Sequence, residues 1–229
     1  MATVLSTRSL SLGKGHEERV ENMAIINVSA IDELQHPPTN DQDGDGRPQW
    51  LTVSPYLEPE HLLDLRTLDV PNRLLALALT TLTPATTEYA TARYDDAFDW
   101  ASLMLHLKSL ALSEGFRWTQ QEFYVVEFRS KLKADIDVDL LFKLDKFSHA
   151  EATQAGNLLK YWYGVPSAER RNLATCLWRS KEDAILGGIG PWHKQARGVI
   201  ATMYEQIDVK GLRLTIGDDC ESWSFAPYG

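Results

Sequence analysis

Residues 156–164 read GNLLKYWYG, and residues 170–180 read RRNLATCLWRS. Each run has the length and apolar content of a strand, and the short VPSAE segment between them suits a turn. The pair therefore reads as a hairpin over 158–164 and 172–179. Just upstream, DIDVDLLFKLDKFSHAEATQA at 135–155 reads as a helix, with Asp residues at its start and Gly156 after its end. Further upstream, EFYVVEFRSKL at 122–132 is a strand. Downstream, SKEDAILGG at 180–188 suits a short helix and turn. GPWHKQARGVIATMYEQ at 190–206 is a helix with Pro191 in its first turn, and KGLRLTIG at 210–217 is a last strand.

The order from residue 122 onward is thus β-α-β-β-α-β, the split βαβ arrangement of the ferredoxin-like fold, and the class is α+β. Ahead of it, NRLLALALTTLTP at 72–84 has the length and proline bracketing of a buried strand, although periodicity alone does not exclude a helix. DDAFDWASLMLHLKSLALSEGF at 95–116 is helical, because acids open it, Gly115 closes it, and Phe98, Leu103, Leu107 and Leu110 recur at helical spacing. These two make an N-terminal βα extension, and SPYLEPEHLLDL at 54–65 begins a short helix after Pro59. Residues 1–49 divide into a polar start without periodicity, expected to be mobile, and a Pro/Gly/Asp-rich linker at 33–49. Residues 50–229 then form a single α+β domain. DQDGDG in the linker imitates the opening of a calcium loop, but the twelfth position is Thr52, where a bidentate Glu is required.

Composition narrows the function classes. The chain has 23 Lys+Arg against 32 Asp+Glu and a net charge of −9, without a concentrated basic run. Phosphate neutralisation needs the opposite balance, so nucleic acid is not an expected partner, and anionic membrane surfaces are disfavoured on the same ground. The longest apolar run, LLALALTTL at 74–82, is too short to span a bilayer, so no membrane insertion is expected. Cys176 and Cys220 are the two cysteines, which fits a reducing compartment and no disulfide framework. No Cys/His spacing matches a structural zinc site, so no metal is expected. The first residues lack the apolar core of a secretory signal. The expected location is cytoplasmic, with an organellar transit signal left open by the Arg/Ser-bearing, acid-free start.

LDKFSHAEATQAGNLLKYWYGVP, RRNLATCLWRS and GPWHKQA resemble an uncharacterised fungal protein family whose members carry LLKYWxG and RNLATCxWRS strings. The resemblance extends from NRLLALALTTL onward and brings no assigned activity with it. The β-α-β-β-α-β order, with a helical SHxEA before an aromatic strand, is also similar to the dimeric α+β barrel superfamily. That group includes small monooxygenases, polyketide cyclases, dehydratases and haem enzymes. By this likeness the chain is expected to be a homodimer joined through an open sheet face. Fungal relatives of such folds imply specialised metabolism, in which cofactor-free cyclases and isomerases are common.

Candidate chemistry comes from alternation along the strands. Tyr124, Val126 and Phe128 make one apolar row, expected to lie under the helices. Phe123, Val125, Glu127 and Arg129 make a mixed row, expected to face a barrel interior or a dimer contact. A charge there must be paired or solvated, so Glu127 and Arg129 read either as a salt bridge or as the polar wall of a pocket. In the hairpin Tyr161 and Tyr163 share one face and Trp162 the other, while Trp178 lies on its partner strand. These rings read either as packing or as the walls of a cavity for an apolar ligand. His149 stands four residues after Asp145 on one helical face, where a carboxylate can fix its tautomer, or where the two are an ordinary surface pair. His193 follows Trp192 at a helix start and is the other histidine that could titrate at the site mouth.

The resulting expectation is a cofactor-independent small-molecule enzyme acting on an apolar metabolite by cyclisation (pericyclic closure included), isomerisation or elimination. His149, Glu127 and His193 are the catalytic candidates. Phe123, Val125, Arg129, Tyr161, Trp162, Tyr163, Trp178 and Trp192 line the substrate. A non-catalytic ligand-binding or scaffolding protein is the first alternative. A haem or oxygen-using enzyme with His149 as axial ligand is the second. The cleft around Trp100 and Trp118 is the alternative place for the site.

Overall fold

The computed structural model describes residues 49–229. The segment expected to be mobile and the linker with its DQDGDG stretch lie outside the described residues, apart from Gln49 at the linker's end. The described chain opens with β1 (Trp50–Thr52), antiparallel to β2 (Leu62–Asp64). Between them Pro59–His61 forms one 3-10 turn, where a short helix was expected.

The expected strand at 72–84 is instead a helix, α1 (Val70–Ala78), followed by a 3-10 turn at Leu79–Thr81. Two local features impose helix. The Asp69 carboxylate accepts from the Asn72 amide, and Pro71 occupies the first turn with its φ already helical. The run is also rich in Leu and Ala, good helix formers. Leu74, Leu75, Ala76 and Ala78 are all buried, while Asn72 and Arg73 lie on the half-buried side of the helix.

The expected helix at 95–116 is divided into α2 (Tyr94–Ala97) and α3 (Trp100–Ser113), with Asp99 capping the second. Gly115, at φ +64°, closes α3 with Phe116 N–H donating to the Ala111 carbonyl and Gly115 N–H to Leu112, a Schellman ending.

From there the order follows the sequence reading. β3 (Gln121–Leu132) leads to α4 (Val138–Gly156), capped by Asp137 and ended by Asn157 in the left-handed region at φ 50°. The hairpin is β4 (Leu158–Tyr163) and β5 (Arg171–Trp178). Then come α5 (Lys181–Gly188), α6 (Pro191–Gly198) and α7 (Ile200–Met203). β6 (Tyr204–Ile216) begins where the long helix was expected to continue, and β7 (Trp223–Pro227) was not expected.

All strand pairs in the main sheet are antiparallel, in the order β4-β5-β3-β6-β7. The first four strands have the ferredoxin-like arrangement and β7 extends its edge, so the class is α+β as read from the sequence.

The two faces of the sheet are covered differently. α4 and α5 pack on one. On the other, Phe123, Val125, Leu173, Leu177, Leu214 and Ile216 share a core with Trp100, Leu103, Leu107 and Trp118 of the N-terminal layer. The mixed row was expected to face a second subunit or a barrel interior. It is instead buried by the same chain, so the open apolar face that argued for pairing there does not exist. At the alternative place for the site, Trp100 and Trp118 are both 2% exposed, and a cavity of about 280 Å³ beside Trp118 is bordered by Lys108, Ala111, Leu112, Phe116 and the 219–221 turn.

Candidate functional site

Strand alternation assigns the residues to two faces. Tyr124 and Val126, with Tyr161, Cys176 and Trp178, lie on the helix side, around a small core of Ala152, Leu158 and Trp178. In register, Tyr161 faces Cys176 and Tyr163 faces Ala174. Phe123 and Val125 belong to the opposite core, and Trp162 packs there edge-on against Tyr89 at 5.3 Å and Phe98 at 4.9 Å. Glu127 lies in that same row. The residues expected to form one site are therefore split across the sheet.

Glu127 and Arg129 make the salt bridge foreseen as one of their two readings. Arg129 Nε donates to Glu127 Oε1 at 2.5 Å, and its Nη1 donates to the carbonyls of Tyr89 (3.2 Å) and Ala90 (2.8 Å). Glu127 is 5% exposed. The pair fastens the 89–90 loop onto the sheet, and both charges are spent on that contact. Trp178 is buried with Gly187 packed on its ring, and Trp192 stacks on Phe147 at 4.4 Å.

The helix side carries a polar cluster instead. Asp145, His149 and Ala152 follow one another at helical spacing on the sheet-facing side of α4. The chain after β1 crosses the sheet edge, where the Tyr161 amide donates to the Val53 carbonyl at 2.8 Å. This crossing brings Tyr56 and His61 onto α4. The hydroxyls of Tyr56 and Tyr161 donate to the two oxygens of Asp145. His61 Nδ1 lies 2.8 Å from His149 Nδ1, so one ring donates and the other accepts. Tyr56, His61, His149 and Tyr161 form a run of ring contacts at 4.8–5.5 Å, and Tyr163 adjoins Tyr161 at 5.6 Å. The expected Asp145–His149 pair does not form: the carboxylate is taken by tyrosines, and the imidazole by a second histidine.

Burial sets the protonation states. It pushes the Asp145 carboxyl above the usual carboxylate range, against the pull of the Tyr161 and Tyr56 hydroxyls and of nearby His193. Burial and then the Asp145 charge hold Tyr56, Tyr161 and Tyr163 as neutral phenols, and raise Tyr204 to about 12. Burial, then the neighbouring His61 and His193, lowers His149 to about 3. Burial lowers His61 too, against the charges of Glu58 and Glu60. Both imidazoles are therefore neutral near pH 7. Asp145, Tyr161 and Cys176 are strongly desolvated yet keep part of their surface accessible.

His193 sits on the next helix. Its Nδ1 is 2.9 Å from Glu151 Oε2, and the same carboxylate accepts from the backbone amides of Trp192 (2.7 Å) and His193 (3.1 Å). Burial raises the Glu151 carboxyl, but these bonds outweigh it and leave it below the ordinary range. Glu151 thus caps α6 and faces His193 Nδ1, from which it accepts when that nitrogen carries a proton. His193 is close enough to Asp145 and His149 to act on both electrostatically.

The residues do not fit a haem on His149. Its Nδ1 faces His61, and its Nε2 is buried with no partner and no accessible surface, so neither nitrogen has an open coordination position. Among the described residues no three His, Cys, Asp or Glu side chains are placed to hold a metal ion.

Sequence reasoning missed Tyr56 and His61. His61 meets His149 across 88 residues and Tyr56 meets Asp145 across 89, and their only local mark is an aromatic and a histidine around Pro59.

A family model described as PB2B2.08-like matches residues 52–227. The UPF0643 protein PB2B2.08 of Schizosaccharomyces pombe (strain 972) is 36% identical over 184 residues, 77% of this chain and 84% of that protein. Among solved structures, a Nitrosomonas europaea protein described as an antibiotic biosynthesis monooxygenase is similar at TM-score 0.35 and 15% identity. That match covers 42% of this chain and 91% of the other.

Proposed function

The chain belongs to the PB2B2.08-like family, and from the cluster on α4 we propose that it is a cofactor-independent enzyme acting on an apolar small molecule. The reaction class is isomerisation, cyclisation or elimination through proton transfer. The observation that carries this reading is Asp145: a desolvated but partly accessible carboxylate, bracketed by two tyrosine hydroxyls. Burial raises the proton affinity of such a carboxylate, which suits it to general acid–base work.

In this reading His193 Nε2 or Asp145 removes a proton beside a substrate carbonyl. A tyrosine hydroxyl donates to the oxygen on which charge develops, and the proton returns at another position or accompanies a leaving group. His149 and His61 are positioning residues, because their paired nitrogens hold the 53–61 segment, and with it Tyr56, against α4. Tyr161 and Cys176 pack on the small apolar core beside Asp145, and Tyr163 adjoins Tyr161, in keeping with a substrate that has few polar handles. A setting in fungal specialised metabolism and a cytoplasmic location belong to the same proposal.

A ligand-binding role without turnover is the competing reading, since the same residues could hold a molecule unchanged. The test uses purified protein and a lipophilic extract of a strain lacking the gene. Wild-type protein should convert a compound that accumulates in that strain, while Asp145→Asn and His193→Gln retain binding by native mass spectrometry and lose conversion. Binding without conversion by the wild type would favour the carrier role. Neither binding nor conversion would remove the site from consideration.

A further inference from the structure

The sequence between α5 and α6, AILGGIGPW at 184–192, places aliphatic side chains at a corner of the helix layer. Ile185 is 56% exposed, Leu186 51% and Ile189 66%. Singly exposed aliphatic residues are ordinary, but large ones this close in sequence make a patch.

The exposure is imposed by the packing on either side. A Cβ at Gly187 would stand 2.5 Å from the Trp178 ring, and one at Gly190 would stand 2.3 Å from the Glu151 carboxylate. The backbone is therefore pressed onto the protein at both glycines, and Ile189 between them is turned outward. Phe147, 39% exposed, continues the apolar surface with its stacked partner Trp192.

The charge around this corner opposes that of the whole chain. Lys143 lies over the Trp192 ring at 5.9 Å. Arg197 donates to the Gly188 carbonyl at 2.9 Å and remains exposed, as does Lys194 one turn before it. Of the nearby acids, Asp183 is paired with Arg179 and Glu151 is bound to His193, which leaves Glu182 and Asp139, the latter one turn before Lys143. The result is an apolar tip ringed by cations on an acidic protein.

We propose that this corner, formed by Ile185, Leu186 and Ile189 with Lys143, Lys194 and Arg197, seats on the surface of an anionic phospholipid bilayer. The aliphatic residues enter the headgroup boundary, and the cations meet the lipid phosphates and carboxylates. This contact is peripheral: no helix among the described residues is long and apolar enough to cross a membrane. It stands independently of the reaction proposed above. The acidic balance of the whole chain does not oppose it, because salt screens charges more than about 10 Å apart and only the local patch faces the lipid.

Flotation of the full chain with vesicles tests the proposal. The vesicles are phosphatidylcholine alone, or roughly one part phosphatidylserine to two parts phosphatidylcholine. Wild-type protein should float with the mixed vesicles at about 0.1 M salt, where charges are screened beyond about 10 Å, and be released at about 1 M. Lys194→Gln should weaken binding about fivefold, the value of one cation near an anionic surface. Ile189→Ser should abolish most of it with the circular dichroism spectrum unchanged. Failure of the wild type to float with the mixed vesicles would overturn the proposal, as would variants that bind as well as wild type. A concentration-dependent dimer that Ile189→Ser dissociates, without vesicle binding, would also overturn it and assign the corner to a second copy of the chain.

Discussion

Replacing Tyr161 with Phe removes one hydroxyl and almost nothing else, so its cost measures the wiring of the cluster. In the structure that hydroxyl donates to Asp145 Oδ1 while Tyr56 serves Oδ2. A hydrogen bond to a charged acceptor contributes about 1.5–3 kcal/mol, and one between neutral groups about 0.5–1.5 kcal/mol. Asp145 keeps some accessible surface, so the lower end applies, and Tyr161→Phe should cost about 1.5–2 kcal/mol at neutral pH. In an Asp145→Asn background the acceptor is neutral, and the same substitution should cost about 0.5–1 kcal/mol. The difference, about 1 kcal/mol, is a coupling energy readable by urea denaturation of the four proteins in a double-mutant cycle. The pH dependence has a definite sign. Burial holds the folded carboxyl above its unfolded value, so the native state binds more protons between the two. Stability should therefore decline as pH rises through that window and then level off, and Asp145→Asn should flatten the decline. Additivity of the two substitutions within about 0.3 kcal/mol, with no pH-dependent difference, would refute the hydroxyl–carboxylate contact.

Glu127→Gln and Arg129→Met should act on stability alone. Breaking this buried pair is expected to cost about 3 kcal/mol in chemical denaturation, with ligand binding per folded molecule unchanged. Gly187→Ala should cost about 1–3 kcal/mol because the new methyl meets the Trp178 ring and the Ala152 backbone. Gly188→Ala, with nothing within 4 Å, should be neutral or stabilise by up to about 1 kcal/mol, so equal effects at the two glycines would contradict the packing. By NMR the His149 ring should stay neutral from pH 8 to below pH 5. Its folded value of about 3 lies under the ordinary 6.5, so its contribution to stability is intact above 6.5 and fades as pH falls toward 3. A midpoint near 6.5 for this ring would place it outside the buried pair.

Local pattern alone determined the β-α-β-β-α-β order, the helix limits at Asp137 and Gly115, and the alternation within each strand. Each of these is written within one or two turns of chain, as a cap, a left-handed glycine or a period of two. Alternation sorts Phe123, Val125 and Glu127 from Tyr124, Val126 and Phe128, but it cannot say which set meets which layer. That was decided when the N-terminal layer packed Trp100 and Leu103 onto the first set, leaving the tyrosine face to α4. The α1 segment shows the same limit, since a short apolar run between turn signals fits a buried strand as well as one buried face of a helix. His149 was legible as a helix residue near Asp145, but its partner was not. The pairing with His61, and of Asp145 with Tyr56, spans about half of the described chain and exists only because β4 is crossed by the 53–61 segment. Contacts between residues so distant along the chain leave no mark on local spacing, and only tertiary packing can make a site from them.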